Sequence, residues 1–223
     1  MEKRFERNIP AISEAEQALL KTRHAAIIGC GGLGGYIIEF LARCGIGALT
    51  VVDGDCFDET NLNRQTLALP GLVGCGKSEA AEKRINAIDP GIKVRRVDEF
   101  FTAENAEEIL ADVDIVMDAL DNIASRLVLE DECAKRGLSL VHGAIQGWMA
   151  QVCIVRPGSG MLHSYYGKAT GHGSKSVLPH VPPFCAAMQS GEAIKHLCGR
   201  KTDIEGKLLI ADLQAMEFFN MEI

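Results

Sequence analysis

A glycine-rich turn formed by Gly29, Gly31 and Gly34 is the feature that most constrains what this chain can fold into. The apolar run at 25–28 before it is too short for a helix, which predicts a buried parallel strand. Apolar residues then recur at helical spacing over 33–44. Glycines here let the backbone approach phosphate groups, and the following helix N-terminus presents free N–H groups and a positive dipole end. The pattern predicts a nucleotide-binding turn.

An acid stands where a ribose contact is expected. The next apolar run, 48–52, predicts a second strand, and it ends at Asp53. A carboxylate at this place can accept hydrogen bonds from ribose hydroxyls. A lone glycine pattern can also be a purely structural turn, but strand, glycines, helix, strand and acid all occur here in order, which favours a nucleotide. The glycine pattern alone would suggest NAD.

Composition excludes several classes of function. The 223 residues are 47% hydrophobic and 24% charged, which fits one globular domain spanning 1–223. A net charge of −7 without a basic block gives no reason to expect nucleic acid as a partner. No apolar run approaches the ~20 residues of a membrane span and no signal core begins the chain, so we expect no membrane association and a cytoplasmic location.

Polar residues follow the second predicted strand, where ligands of doubly wound sheets bind. Asp55, Asn61, Arg64 and Gln65 lie in this segment, and Lys77 comes at the start of the next helical stretch. An arginine can hold phosphate with its planar guanidinium, and a lysine near a helix N-terminus can meet an anion. Taken alone, Lys77 is better explained as an ordinary exposed lysine.

A second group of acids follows the predicted fourth strand, 113–117. Asp118, Asp121 and Asn122 come directly after it. Acids just past a strand end can hold Mg²⁺ through one carboxylate and several waters. Asp121 or Asn122 could instead cap the next helix, 125–136, and both roles are compatible. We interpret Asp118 as structural and Asp121 as the metal ligand.

The rest of the chain completes an α/β pattern. We expect a Rossmann-like, doubly wound and mostly parallel sheet, extended by antiparallel strands at its C-terminal side. The stretch 156–180 has no periodicity, which is typical of a functional or disordered loop. The further predicted elements are strands at 92–97, 138–142, 149–155, 207–212 and 215–221, and helices at 13–21, 104–111 and 182–198.

With these segments in place, the chain resembles the ThiF/MoeB/HesA family, the bacterial relatives of ubiquitin-activating enzymes. The resemblance covers nearly the whole chain. Its motifs are Arg4-Phe5-Glu6-Arg7, Gly29-Cys30-Gly31-Gly32-Leu33-Gly34, Asp53-Gly54-Asp55, Asn61-Leu62-Asn63-Arg64-Gln65, Gly76-Lys77 and Asp121-Asn122 with Arg126.

The resemblance implies an ATP-dependent adenylyltransferase acting on the C-terminal glycine carboxylate of a small ubiquitin-like carrier protein that ends in Gly-Gly. ATP and Mg²⁺ would be its cofactors, with Asp121 as the magnesium ligand. Arg7 would reach the phosphates of the other subunit as an arginine finger, which requires a homodimer. Asp53 would bind the ribose. The other implied nucleotide contacts are Gly29, Gly31, Gly32, Gly34, Asp55, Asn61, Arg64, Gln65, Lys77 and Asn122.

Cysteine usage departs from the family pattern. The C-x-x-C pairs that hold zinc in many members are absent, so we expect no zinc. The crossover loop, 156–184, contains no cysteine, and Cys185 after it is either a helix-start thiol of lowered pKa or, as we interpret it, a buried core residue. We therefore expect adenylation only, with sulfur supplied by a separate donor protein. The nucleotide would occupy the half 1–142 and the carrier the half 143–223.

Three alternatives remain open at this stage. An NAD-binding oxidoreductase explains the glycines and Asp53 but gives Arg7, Arg64 and Lys77 no role. A tRNA-modifying dehydratase would be a different branch of the same family. A silent carrier-binding scaffold would not need these cations or Asp121. The sequence leaves open whether the carrier serves thiamine, molybdopterin or another pathway.

Overall fold

The structure is a computed structural model that describes residues 2–167 and 176–223. Residues 168–175, the middle of the predicted aperiodic loop, lie outside the described residues. The strands are β1 (His24–Ile28), β2 (Ala48–Val52), β3 (Lys93–Val97), β4 (Ile115–Asp118), β5 (Leu140–Gln146), β6 (Met149–Val155), β7 (Lys207–Asp212) and β8 (Glu217–Glu222). The α-helices are α1 (Glu14–Leu20), α2 (Gly32–Cys44), α3 (Lys77–Ile88), α4 (Ala106–Ile109), α5 (Ile123–Arg136), α6 (Met161–Tyr166) and α7 (Val181–Leu197).

The described strands form one sheet in the order β3-β2-β1-β4-β5-β6-β7-β8. The first five strands of the chain pair in parallel, and β6, β7 and β8 pair antiparallel beyond β5. This confirms the predicted fold class. The strand order reverses between β1 and β4, and ligands of such sheets bind in the crevice at that reversal, outside the carboxyl ends of the strands.

Helices cover both faces of the sheet. α2, α3 and α7 pack on one face, where the core includes Ile27, Ile37 and Ile85. α4, α5 and α6 cover the other face around Ile28 and Leu129. Because β1 and β4 are buried on both faces, their sequences are apolar runs without polar alternation. None of the helices in the described part of the chain is long and apolar enough to cross a membrane.

Two helices differ from the sequence prediction. The helix expected over 104–111 is shorter, Ala106–Ile109, and Asp112 just beyond it has a φ of 57°. The loop expected over 156–180 contains α6. The carboxylate of Glu130 on α5 accepts hydrogen bonds from the N–H groups of Leu162 and His163, and so stabilises the first turn of this short helix.

An N-terminal 3₁₀ helix, Lys3–Asn8, docks against the C-terminal end of α2. Phe5 is buried there, and a Cβ added at Gly45 would lie 2.8 Å from its ring. Arg4 forms an ion pair with Asp89 at 3.0 Å, next to the end of α3. The arm is therefore fixed at the end of α2 opposite to the glycine turn.

Candidate nucleotide site

The glycine turn brings β1, α2 and the end of β4 into close contact. Gly29 has a φ of 102°, and a Cβ added there would lie 2.7 Å from the carbonyl oxygen of Ala119. A Cβ on Gly34 would lie 1.8 Å from the Gly29 carbonyl oxygen. Both distances are too short for any side chain. The glycines therefore permit the tight turn and the close packing of helix on strand, which leaves the N–H groups at the start of α2 facing the crevice.

Asp53 closes one side of the turn. Its two carboxylate oxygens accept hydrogen bonds from the N–H groups of Cys30 and Asp55, each at 2.8 Å. Burial raises the pKa of Asp53, and the two N–H donors oppose this shift. Each oxygen keeps a second lone pair, so the carboxylate can still accept hydrogen bonds from a ribose. The side chain thus links the end of β2 to the glycine turn.

Arg64 and Gln65 lie against the glycines. A Cβ on Gly32 would be 3.9 Å from Arg64 Nε, and one on Gly31 would be 3.4 Å from Gln65 Nε2. The buried Oε1 of Gln65 has no hydrogen-bond partner among the residues that the structure describes. A buried polar atom without a partner costs free energy, so this carboxamide is suited to meet a ligand in the crevice.

Lys77 begins α3 and is a buried lysine. The residue is 8% exposed, and its Nζ lies 3.0 Å from the Asp55 carboxylate. Its own N–H donates to the Asp55 carbonyl oxygen at 2.9 Å. A buried lysine held at a helix start differs from the ordinary exposed lysine that the sequence left open. The structure therefore brings Lys77 to the same edge as Arg64.

The segment after β4 presents the remaining polar groups. Asp121 is exposed, and its Oδ1 lies 3.5 Å from the Asn122 amide. Asn122 caps α5, because its Oδ1 accepts from the Ser125 N–H at 2.8 Å. Asn61 also has a local structural contact, since its Oδ1 accepts from the Asp58 N–H at 3.1 Å. Asp118 is fully buried and hydrogen-bonded, which confirms its structural interpretation.

Arg7 is not part of its own chain's site. It is exposed on the N-terminal arm, two residues after the anchored Phe5. The 13 residues of α2 separate that anchor from the glycine turn, a distance of about 20 Å at 1.5 Å per residue. Two residues of chain and one arginine side chain span less than this.

Cys185 is a core residue, as interpreted from the sequence. It is fully buried, and its thiol lies 3.5 Å from the Gln151 carbonyl oxygen. Burial raises the pKa of the Cys185 thiol to about 12, so the position at the helix start does not activate it. Cysteines 56 and 75 are the exposed ones within the described residues.

Sequence reasoning missed a buried polar cluster beneath the site. His142 on β5 contacts Asp118 and Tyr166, and Arg126 lies beside them. The sequence signal for this cluster is His142, which stands inside an apolar strand, together with Asp118 at the end of the preceding strand. Tyr166 could not be found in this way, because it lies within the aperiodic stretch 156–180, where the sequence predicts no helix.

The fold and the crevice define a doubly wound α/β protein whose site is lined for an anionic ligand. A family model described as "ThiF family" matches residues 5–223, so the chain belongs to the ThiF family. The "SAMP-activating enzyme E1" of Haloferax volcanii is 33% identical over 211 residues, which are 92% of this chain and 78% of that protein. The "Sulfur carrier protein adenylyltransferase" of Thermus thermophilus is 30% identical over an alignment of 233 positions, which covers 96% of this chain and 84% of that protein.

A solved structure shows the same fold. The crystal structure of E. coli MccB with ATP superposes with a TM-score of 0.86 and covers 100% of this chain and 72% of that chain. Its sequence identity is 18%, so the likeness concerns the fold alone. The family resemblance inferred from the sequence motifs is confirmed by these comparisons.

Proposed function

We propose that this chain is an ATP-dependent adenylyltransferase that activates the C-terminal glycine carboxylate of a small ubiquitin-like sulfur-carrier protein. A carboxylate oxygen bonds to the α-phosphorus of ATP, the bond from that phosphorus to the bridging oxygen breaks, and pyrophosphate leaves. The nucleophile is already ionised, so the reaction needs alignment and charge neutralisation rather than proton transfer. The names of the two relatives support this activity and favour a carrier protein over a tRNA base.

The observation that best supports the proposal is the pairing of a phosphate-binding turn with two cations. Arg64 lies against Gly32, and Lys77 is held at the start of α3 by Asp55. The start of α2 adds N–H donors and a positive dipole end. A triphosphate needs all three features, whereas an NAD-linked dehydrogenase would use the glycines and Asp53 but neither cation. The arrangement therefore speaks against the oxidoreductase alternative.

Each residue then has a defined role toward the nucleotide. Asp53 accepts hydrogen bonds from the ribose, and the glycine turn accommodates the phosphates against the start of α2. Arg64 and Lys77 neutralise phosphate charge, with Lys77 exchanging its contact to Asp55 for phosphate oxygens. Gln65 presents its carboxamide next to Gly31, and the Oε1 of this group has no partner among the described residues.

Magnesium fits the residues that the structure provides. Asp121 presents an exposed carboxylate near the crevice, and residues 2–167 and 176–223 contain no group of three or more His, Cys, Asp or Glu that could hold a metal ion. Mg²⁺ commonly binds through one or two carboxylates together with waters and substrate phosphates, rather than in an all-protein cage. When bound, Mg²⁺ supplies charge neutralisation to the phosphate oxygens.

A homodimer completes the site in this proposal. Phe5 anchors the arm at the far end of α2, about 20 Å from the glycine turn and beyond the reach of Arg7, so in a homodimer Arg7 would serve the neighbouring protomer. An arginine delivered in this way stabilises the negative charge that develops on a transferring phosphoryl group. The site of each protomer would thus receive one cation from its partner.

The carrier would bind the half 143–223, which shares the continuous sheet with the nucleotide half 1–142. The edge strand β8 exposes the apolar side chains of Phe218, Phe219 and Met221. Exposed apolar patches of this kind mark interaction sites, and we expect the small carrier protein to bind this one. Since Cys185 is buried, the structure offers no activated thiol at the loop end, and a separate donor protein would deliver sulfur to the acyl-adenylate.

ATP–pyrophosphate exchange with a panel of carriers ending in Gly-Gly tests the proposal. Lys77→Ala and Asp121→Ala should abolish carrier-dependent exchange with the fold intact. Lys83→Ala is the matched control, because Lys83 lies on the same helix and pairs with Glu79 at the surface. A carrier lacking its terminal glycine should give no exchange.

Two results would contradict the proposal. One is normal exchange in both the Lys77 and the Asp121 variant. The other is a melting temperature that NAD raises and ATP does not, since a ligand stabilises the native state that binds it. Exchange or dehydration that depends on tRNA instead of a carrier would favour the dehydratase alternative.

A further inference from the structure

A chain of buried hydrogen bonds runs from α6 to the end of β4. His142 and Asp118 are both fully buried, and His142 Nδ1 lies 2.6 Å from Asp118 Oδ2. His142 Nε2 lies 3.0 Å from the hydroxyl of Tyr166. Because a carboxylate only accepts, Nδ1 is the protonated nitrogen and Nε2 accepts from the tyrosine. Burial lowers the pKa of His142, which keeps the ring in this neutral form.

Asp118 and Arg126 together hold the turn at 119–122. Asp118 Oδ1 accepts from the Leu120 N–H at 2.9 Å, and Arg126 donates to the Leu120 carbonyl oxygen at 2.6 Å. Arg126 Nε lies 3.4 Å from Asp118 Oδ2, so the two side chains also contact each other. The N–H and the C=O of Leu120 are therefore both hydrogen-bonded to buried side chains. The residue that follows it is Asp121.

The other end of the chain is fixed to α6. Tyr166 is the last residue of α6, and its ring lies against the Arg126 guanidinium, 5.7 Å from ring centroid to Cζ. Glu130 on α5 holds the first turn of α6 through the N–H groups of Leu162 and His163, at 2.9 Å and 3.0 Å. The hydroxyl of Tyr166 is therefore held in a fixed place by the packing of a short helix.

Stability alone gives little reason for these polar groups. Well-packed apolar side chains of similar volume often replace buried charged networks with no loss of stability, or with a gain. A buried carboxylate that accepts from both a histidine and a backbone N–H instead gains geometric precision, because the contacts at its two oxygens fix its orientation.

We propose that His142 and Tyr166 are positioning residues for adenylation, which act through Asp118 to set the place of the Asp121 carboxylate. The inference rests on the proposed function, in which Asp121 holds magnesium. His142 and Tyr166 do not touch the nucleotide or the metal. They act by fixing Asp118, which holds the backbone N–H of Leu120, the residue just before the metal ligand Asp121.

Tyr166→Phe is the primary test, because it removes one hydroxyl and keeps the ring. Tyr165→Phe is the matched control, since Tyr165 precedes it on the same helix and contacts the Tyr166 ring at 4.7 Å. The probe is Mn²⁺, titrated by electron paramagnetic resonance with a non-hydrolysable ATP analogue present. We expect the Mn²⁺ dissociation constant to rise about threefold in Tyr166→Phe and to stay unchanged in Tyr165→Phe. The rise is smaller than the roughly tenfold or more that follows loss of a direct partner of a metal ligand, because Tyr166 acts through His142, Asp118 and Leu120.

Two further measurements separate positioning from general destabilisation. The Mg²⁺ concentration that half-saturates exchange should rise in Tyr166→Phe, while the KM for ATP at saturating Mg²⁺ stays within about twofold. The Leu120 amide should exchange its hydrogen faster, since its acceptor Asp118 is less well held. A lower melting temperature with unchanged Mn²⁺ affinity would show a structural role and overturn the proposal.

A pair of substitutions at His142 tests the same contact from the other side. His142→Asn keeps an N–H donor near the position of Nδ1, whereas His142→Leu removes it. The asparagine variant should retain more Mn²⁺ affinity than the leucine variant, and equal affinity in the two would contradict the proposal. If His142→Leu does not fold, the Mn²⁺ affinity of Tyr166→Phe decides whether the proposal holds.

Asp121→Ala separates a failure of this inference from a failure of the proposed function. If Asp121→Ala leaves Mn²⁺ affinity unchanged, Asp121 is not the metal ligand and the positioning role falls with it, whereas the adenylyltransferase activity is judged separately by carrier-dependent exchange. If Asp121→Ala weakens Mn²⁺ binding but Tyr166→Phe does not, only the positioning role is wrong.

Discussion

The position of Arg7 leads to a complementation experiment with a calculable yield. In the proposed homodimer, Arg7→Ala would remove the cation that a protomer supplies to its partner, and Lys77→Ala would remove a cation that the protomer uses in its own site. Each homodimer should therefore lose exchange activity, by about 10³-fold or more where the lost group is an arginine finger. In a mixed dimer, however, the site of the Arg7→Ala protomer has its own Lys77 and receives Arg7 from its partner.

The expected recovery follows from this geometry. Random pairing of the two variants makes about half of the dimers mixed, and each mixed dimer has one complete site of two. The mixture should regain about a quarter of wild-type activity per protomer. If Arg7 served its own chain, no protomer would be complete and recovery would be zero. The length of α2 between the arm and the glycine turn favours recovery of activity over no recovery.

The assay is pyrophosphate exchange after co-expression of the two variants with different affinity tags and purification through both. Doubly purified dimers are all mixed, so they should reach about half of wild-type activity. The matched control pairs Lys77→Ala with Asp121→Ala, because both residues belong to the same protomer's site and no complete site can form. Recovery in the control, or its absence in the Arg7 pair, would refute the reasoning.

Three further predictions follow from local contacts. Gly34→Ala should destabilise the fold by about 3 kcal/mol or more in urea unfolding, because its Cβ would meet a backbone oxygen at 1.8 Å, whereas Gly71→Ala, with nothing within 4 Å, should change stability by less than about 0.5 kcal/mol. The hydrogen bond from Arg200 lowers the pKa of Glu16 to about 2. Its stabilisation is therefore present above the unfolded pKa and is lost as the pH falls from about 4.5 toward 2, so Glu16→Gln should flatten the melting-temperature profile in that window. Incubation with carrier and ATP should give no adduct that a reducing agent cleaves, and Cys185→Ser should leave exchange unchanged, as checked on non-reducing gels.

Local patterns were enough to predict the strands and the helix around the glycine turn. The glycines, the apolar run of β1 and the acid after β2 each act on neighbouring residues, so their spacing shows in the sequence. β2 (Ala48–Val52) and β6 (Met149–Val155) have the predicted bounds. The parallel sheet with antiparallel strands beyond β5 followed from the same reasoning.

Contacts between distant residues account for what the sequence did not reveal. Glu130, which lies 32 residues before Leu162, stabilises the first turn of α6, and no pattern within 156–180 could show that contact. The partner of His142 is likewise 24 residues away on another strand. The roles assigned to the site residues stay predictions, since they concern a nucleotide, a metal and a second protomer.

In the proposed homodimer, the arm fixed by Phe5 would make catalysis depend on protein concentration. If every site needs a cation from a neighbouring protomer, dilution below the dissociation constant of the dimer would abolish adenylation. The separate protomers would still have formed pockets and would still bind ATP. Turnover per protomer would then rise with enzyme concentration before levelling off, while nucleotide affinity measured in the same series stayed flatter. A low concentration of the protein would then switch off its activity without any inhibitor.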